Sequence, residues 1–291
     1  MTREKRFVVW LSDPKTVGEI VALAKEPASA IDEGRVFIGK KRVKSASDAV
    51  KPGDEVRIGK RSDSDIEVDI LVQKNDLVAV AKPAGIPTVP DHAGSSHSLV
   101  AVVARTLGKK TTDLFITSRL DREVSGVVLF ALTSAAEARL KDARARGAYA
   151  RRYVALAKSD PGSADHGSWT SAIEEKESAT RYRVVATGDG VVMLAVDPIT
   201  GRTHQIRIHA SRARMPLLGD PTYGGPSKIV LANGRVISFG RIALHAARVS
   251  VEGIVAEAPI PAEIARWWTE LGGEAEKWNT AVSCDTSPSS D

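Results

Sequence analysis

The chain has 291 residues, 43% of them hydrophobic, and a formal net charge of +5, which is enough material for one substantial core and a smaller one. No apolar run approaches the roughly 20 residues that span a bilayer, and the opening MTREKRFVVWLSD lacks the long apolar stretch of a secretory signal, so a soluble, cytoplasmic protein is expected. The single cysteine, Cys284, sits in the polar end SCDTSPSSD, which excludes a disulfide framework and a cysteine metal cluster.

In chain order, TVGEIVALAKE predicts a helix. EGRVFIGKKRVKSASDAVKPGDEVRIGK then alternates short β-branched runs with turn signals at Gly39-Lys40-Lys41 and Lys51-Pro52-Gly53-Asp54. Residues 1–60 read as a small basic α/β module. The polar RSDSDIE marks a linker over 61–68, and a larger domain is expected over 69–272. Its first buried strand, DLVAVAKP, closes on the turn Lys82-Pro83-Ala84-Gly85. VVLFALT is a second, followed by an Ala-rich helix opened by a capping box from Ser134 to Glu137 and stopped at Gly147. YVALA, YRVVAT, VVMLAV and ARVSV add strands at 153–157, 182–187, 191–196 and 247–251. HQIRIHASRAR reads as a helix begun near Gly201, although Ile206 and Ile208 also suit a strand. The fold class expected is α+β, with a mixed, mainly antiparallel sheet and scattered helices. Residues 273–291 are expected to form a polar, disordered tail.

Charge is unevenly distributed. Residues 201–250 carry eight Lys/Arg against one acid, Asp220, and residues 137–152 carry six bases against Glu137 and Asp142, whereas residues 252–291 hold eight acids and two bases. Such blocks fit contact with a nucleic-acid backbone, and they also fit solvated helix faces.

In three stretches, polar side chains crowd against apolar strand sequence: SRLDREVSG (118–126), ARRYVALA (150–157) and GRTHQIRIHASRARMPLLGDPTYGG (201–225). In extended backbone Arg119 and Asp121 share one side at period two. Taken alone, the stretch suits a structural ion pair better than a catalytic carboxylate. His204 and His209, five apart, face different ways on a helix and on a strand, so they do not converge on one metal. No HExxH, GxSxG, GxGxxG or Walker lysine is present. Metal, serine-triad and nucleotide-cofactor chemistry therefore have no support.

Taken together, these stretches resemble the RluA-type pseudouridine synthases. The likeness runs through AKPAG, SRLDREVSG, GRTHQIRIH with MPLLGDPTYGG, and LHA at 244–246, in the family's order over about residues 70–260. It implies an RNA-modifying isomerase that turns uridine into its carbon-linked isomer with an obligatory aspartate and no cofactor. By position Asp121 is that aspartate, which reverses the reading of the stretch alone. The resemblance further implies that Arg207 pairs with Asp121 and keeps it ionised, that Tyr153 packs on the target base, and that Arg119 fills the space left by an extruded uridine. Lys82, Arg202 and His204 fall in the same motifs and are expected to bind substrate. Ser118 and Val124 stand where the family usually has histidine and threonine, so local hydrogen bonding around the aspartate is expected to differ.

Residues 33–59 resemble the small RNA-binding fold shared by a ribosomal small-subunit protein and many pseudouridine synthases. Lys40, Lys41 and Arg42 are then its RNA-gripping residues. The expectation is a monomeric enzyme acting on structured RNA, ribosomal rather than transfer RNA, with no metal, no cofactor and no membrane partner. A non-catalytic RNA-binding or ribosome-assembly factor retaining the fold is the alternative.

Overall fold

In the computed structural model, residues 5–10, 15–24, 26, 29–32, 34–59, 66–90, 98–284 and 286 are described. They fall into two compact units, one comprising residues 1–67 and 89–107 and the other residues 68–88 and 108–291.

The first unit contains β1 (Lys5–Val8), α1 (Val17–Leu23), α2 (Ser29–Asp32), β2 (Val36–Ile38), β3 (Lys41–Arg42), β4 (Glu55–Ile58) and α3 (Leu99–Thr106). Thr16 and Glu19 close a reciprocal cap at the start of α1, and Val17, Ile20 and Val21 turn one face inward. The four strands pair in the order β1-β4-β2-β3, antiparallel throughout. Alternation along β4 buries Val56 and Ile58, which join Val36, Ile20 and Ile31 in a small core. Gly39, at φ +58, and Lys40 turn β2 into β3, where Ile38 pairs with Lys41. The expected assignment of residues 89–107 to the larger domain differs from this grouping. LVAVVART is an amphipathic helix whose buried Leu99, Val102 and Val103 group with the first unit. Of the expected linker, 61–65 lie outside the described residues, and 66–69 run without regular structure into the next strand.

The second unit contains β5 (Ile70–Lys74), β6 (Leu77–Lys82), β7 (Phe115–Ile116), β8 (Ser125–Ala131), α4 (Ser134–Ala145), β9 (Ala150–Lys158), β10 (His166–Trp169), β11 (Thr180–Thr187) and β12 (Val191–Pro198). It continues with α5 (Gln205–Arg212), β13 (Lys228–Val230), β14 (Val236–Ser238), β15 (Leu244–Val251), β16 (Ile254–Glu257), α6 (Ala262–Glu270) and α7 (Lys277–Ser283). The main sheet runs β10-β11-β12-β9-β15-β8-β6-β5, with β16 beside β15 and β7 beside β8. Every pair is antiparallel except β15 with β8. All seven residues of β8 are buried, as expected of a central strand covered on both faces. Fully burying Leu129 or Phe130 there contributes roughly 2 kcal/mol each. Leu77, Leu129, Leu140 and Val249 form one core, and Val154, Met193, Trp267 and Trp268 belong to another.

This is the mixed, mainly antiparallel α+β architecture expected. Three local readings are corrected. The cap of α4 is Thr133, whose side chain accepts from the Ala136 amide at 3.2 Å, in place of Ser134. Helix α5 starts at Gln205 because the preceding residues are held as a turn: Gln205 Oε1 accepts from Thr200 Oγ1 at 2.7 Å and from the Arg202 amide at 2.9 Å. The expected tail instead carries α7, with Trp278 and Ala281 buried. Arg152 reaches the end of that helix, donating to the Ala281 and Val282 carbonyls at 3.1 Å each while its other nitrogens hold Asp197 at 2.6 and 2.8 Å. Positions 285 and 287–291 lie outside the described residues. Among the described residues no helix is long and apolar enough to cross a membrane.

Candidate active site

The loop from Leu120 to Val124, which leads into β8, is fastened by the end of β6 and the segment that follows it, up to Thr88. Thr88 Oγ1 donates to the Leu120 carbonyl at 2.8 Å and accepts from its amide at 3.0 Å. The Gly85 amide donates to the Arg122 carbonyl at 2.7 Å. Lys82, expected to bind substrate, is instead 2% exposed. Its ammonium donates to the carbonyls of Pro83, Asp121, Arg122 and Val124 at 2.7 to 3.2 Å. Burial draws its pKa down to about 7, against the opposing pull of Glu123 and Asp121. Lys82 is therefore an internal post of the loop. The reason is steric: β6 is buried from Leu77 to Val80 and again at Lys82, and the backbone carbonyls of the loop are the acceptors within reach.

At the mouth of β8, Ser125 and Gly126 approach β15 as the parallel pair with His245 and Ala246. Gly126 has φ +124, and a Cβ there would fall 2.2 Å from the Ala246 carbonyl oxygen, so the strands meet at this separation only with glycine. Ser125 Oγ lies 2.9 Å from His245 Nδ1, and His245 Nε2 lies 3.2 Å from the Ala258 carbonyl. The carbonyl can only accept, so Nε2 carries the proton and Nδ1 accepts from the serine.

The Asp121 side chain is 26% exposed, and its Oδ2 accepts from Arg207 Nη1 at 2.7 Å. Arg207, on α5, is buried and donates through Nε and Nη2 to both oxygens of Asp220 at 2.7 and 2.8 Å. The three residues form one chain of charges, carboxylate–guanidinium–carboxylate, whose inner member is fully covered. Burial works against the Arg207 charge, but the hydrogen bonds to Asp220 and then Asp121 outweigh it and raise the pKa further. Arg207 also lies 4.9 Å above the Tyr223 ring. Tyr223 Oη is 2.8 Å from His204 Nδ1, and His204 Nε2 stands 3.7 Å from Asp121 Oδ2.

Asp220 and Tyr223 were not singled out by sequence reasoning. The available signal was Asp220 as the sole acid among eight bases in residues 201–250. A buried arginine needs a buried counter-charge, and GDPTYGG supplies it through a backbone only glycine allows. A Cβ on Gly225 would fall 1.8 Å from the Leu217 carbonyl oxygen, and one on Gly219, at φ +73, would fall 2.0 Å from that of Arg241.

Tyr153, on β9, is buried. Burial raises its phenol pKa, with Arg151 opposing and Tyr149 and Asp121 adding to the rise. Arg119 is exposed and has no hydrogen bond or ion pair among the described residues. Arg202 is exposed and lays its guanidinium on the Glu177 carbonyl at 3.1 and 3.2 Å. Lys40 and Lys41 are exposed on the β2–β3 hairpin. Arg42 is half-buried, its guanidinium occupying the place where Gly34 lacks a Cβ. The basic block 137–152 is partly structural. Arg151 donates to the carbonyls of Pro198 and Thr200 at 3.1 and 2.8 Å, and Arg152 serves α7. Lys141, Arg144 and Arg146 remain exposed. His209 turns away from His204 to Ser178 and Thr180, each at 2.9 Å.

Comparisons with known proteins show the family to which this fold belongs. The family described as RNA pseudouridylate synthase matches residues 76–212, and the S4 domain matches residues 28–56. The chain is 32% identical over 222 residues to an uncharacterized RNA pseudouridine synthase, YhcT, of Bacillus subtilis, covering 68% of this chain and 70% of that one. It is 27% identical over 283 residues to ribosomal large subunit pseudouridine synthase D of Yersinia pestis, covering 84% and 86%. The solved structure of human RNA pseudouridylate synthase domain containing 4 covers 70% of this chain and 92% of its own at a TM-score of 0.56 and 20% identity, a likeness of fold alone. The family and these relatives show an isomerase acting on RNA. The chain belongs to the RNA pseudouridine synthase family and carries an S4 domain at its N-terminal end.

Proposed function

We propose that this enzyme isomerises uridines in structured ribosomal RNA, with Asp121 as the reacting carboxylate. The observation that carries the reading is the 2.7 Å approach of Arg207 to Asp121 at the open end of an otherwise buried strand. Breaking and remaking the ribose–uracil bond needs a carboxylate at the reacting centre and no redox carrier. Arg207 pairs with that carboxylate, and Tyr153 packs on the target base.

A uridine within structured RNA exposes its glycosidic bond only by leaving the stack. Arg119, exposed beside Asp121, takes the vacated place, since a planar guanidinium stacks where an ammonium does not. Arg202 and His204 bind the extruded nucleotide and its neighbours. Lys40, Lys41 and Arg42 of the S4 domain hold the RNA backbone. Ribosomal RNA is favoured over transfer RNA by that domain and by the Yersinia pestis relative, named for the large ribosomal subunit. The reading includes no cofactor, a single chain as the active form, and a cytoplasmic location.

The test is incubation of the purified protein with unmodified ribosomal and transfer RNA, then carbodiimide mapping of pseudouridine. The expected result is new pseudouridine in ribosomal RNA, absent with Asp121→Asn. RNA binding without new pseudouridine on any natural RNA would instead establish a non-catalytic binding factor.

A further inference from the structure

His204 and Tyr223 stand beside Asp121 as a coupled pair. His204 directly precedes α5 at φ +54, a left-handed backbone uncommon for a residue with a side chain. Its ring has two different neighbours: Tyr223 Oη at 2.8 Å from Nδ1, and Asp121 Oδ2 at 3.7 Å from Nε2. A neutral imidazole carries one N–H. The carboxylate can only accept, whereas the phenol can donate, so the proton belongs on Nε2 and Nδ1 accepts from Tyr223. At 3.7 Å the Nε2–H does not bond the carboxylate in the resting enzyme, and it has no other hydrogen-bond partner among the described residues. A fixed donor with no acceptor is thus held next to the reacting carboxylate. Tyr223 is itself held in the 3-10 turn Pro221–Tyr223 and under the Arg207 guanidinium.

We propose that Tyr223 is a positioning residue that sets the His204 tautomer, and that His204 Nε2–H donates to a uracil carbonyl oxygen while the base is detached from its ribose. The proposal rests on Asp121 being the reacting carboxylate. In the isomerisation the N1–C1′ bond breaks with its electron pair left on the ring, where the charge spreads to O2 and O4. The ring turns about its N3–C6 axis, C5 bonds C1′ with a ring electron pair, C5 loses its proton, and N1 gains one. Composition is unchanged. O2 is the carbonyl next to the breaking bond, and the turn brings O4 into the place O2 leaves. One fixed donor therefore serves both orientations, and it acts when the negative charge develops.

The test uses the full chain. Nitrogen-15 shifts of His204, assigned with His204→Asn, are expected to show a protonated Nε2 and an unprotonated Nδ1 in the wild type. The opposite tautomer overturns the proposal. Asn tolerates the left-handed backbone, so His204→Asn is expected to fold and to lower kcat about 100-fold. Tyr223→Phe keeps the ring under Arg207 and is expected to lower kcat about tenfold, with KM for RNA changed less than about twofold in both variants. Turnover is read as tritium release from transcripts of ribosomal and transfer RNA labelled at uridine C5. No release by the wild type overturns the reading of Asp121 on which the proposal stands. Wild-type release with unaltered kcat in both variants, or an effect confined to KM, overturns the His204 proposal alone. If His204→Asn does not fold, the wild-type tautomer and Tyr223→Phe decide it.

Discussion

Arg207 meets Asp220 side-on, with Nε and Nη2 donating to the two carboxylate oxygens at 2.7 and 2.8 Å. This leaves Nη1 alone to reach Asp121 at 2.7 Å. Asp220 is 1% exposed, so the guanidinium has no solvent to replace it. Asp220→Asn removes the inner charge without changing size, and breaking a buried pair by one partner costs about 3–5 kcal/mol. The expected outcome is a stability lower by that amount, read from the fall in the urea midpoint at unchanged m, and loss of turnover, because Arg207 is no longer aligned. An unchanged midpoint would mean that the bidentate pairing does not contribute to the fold.

Lys82 supports the same loop from below, through three of its backbone carbonyls. Lys82→Met keeps the length of the stem and leaves those acceptors unmatched. The expected loss is about 3 kcal/mol of stability, together with reduced kcat, because residues 121–124 lose their post. RNA affinity is expected to hold, since an ammonium 2% exposed has no access to phosphate. A selective fall in affinity with normal stability would restore Lys82 to the substrate-binding residues.

How far the sequence discloses this molecule depends on whether a feature is local. VVLFAL and VVMLAV are continuous apolar runs, and their burial as β8 and β12 follows from composition. The pairing of Asp121 with Arg207 was legible because their motifs keep order along the chain, but the second partner of Arg207 was not, since Asp220 is 13 residues away and nothing in GDPTYGG shows which way its carboxylate faces. Lys82 misled for the same reason: a lysine after a buried strand reads as a surface group until the carbonyls around it are known. KWNTAVS has too few apolar residues to announce a helix. It forms α7 because Trp278 finds a core and Arg152 holds its far end, both tertiary effects.

The S4 domain carries a prediction separable from chemistry. Lys40 and Lys41 are exposed on the β2–β3 hairpin, so Lys40→Ala with Lys41→Ala removes charge without disturbing the core. Each phosphate that the protein ceases to neutralise lowers the magnitude of the slope of log K against log salt by about 0.7–0.9. The double variant is expected to bind RNA more weakly at low salt, with a flatter salt dependence and unchanged kcat at saturation. Identical binding curves would show that this hairpin does not hold the RNA.

Acid sensitivity should trace to His245. Burial lowers its pKa to about 4, partly opposed by the hydrogen bond to the Ala258 carbonyl and reinforced by Arg241. A histidine whose folded pKa lies below the unfolded value of about 6.5 binds its proton more readily when unfolded. Its contribution to stability is therefore complete above about pH 6.5 and is lost as pH falls toward about 4. The span corresponds to a loss on the order of 3 kcal/mol. Urea midpoints measured between pH 7 and pH 4 are expected to fall. His245→Asn is expected to flatten that fall while lowering stability at pH 7, since the hydrogen bonds of the imidazole to Ser125 and Ala258 are removed. An equally steep acid dependence in the variant would assign the loss to carboxylates elsewhere in the chain.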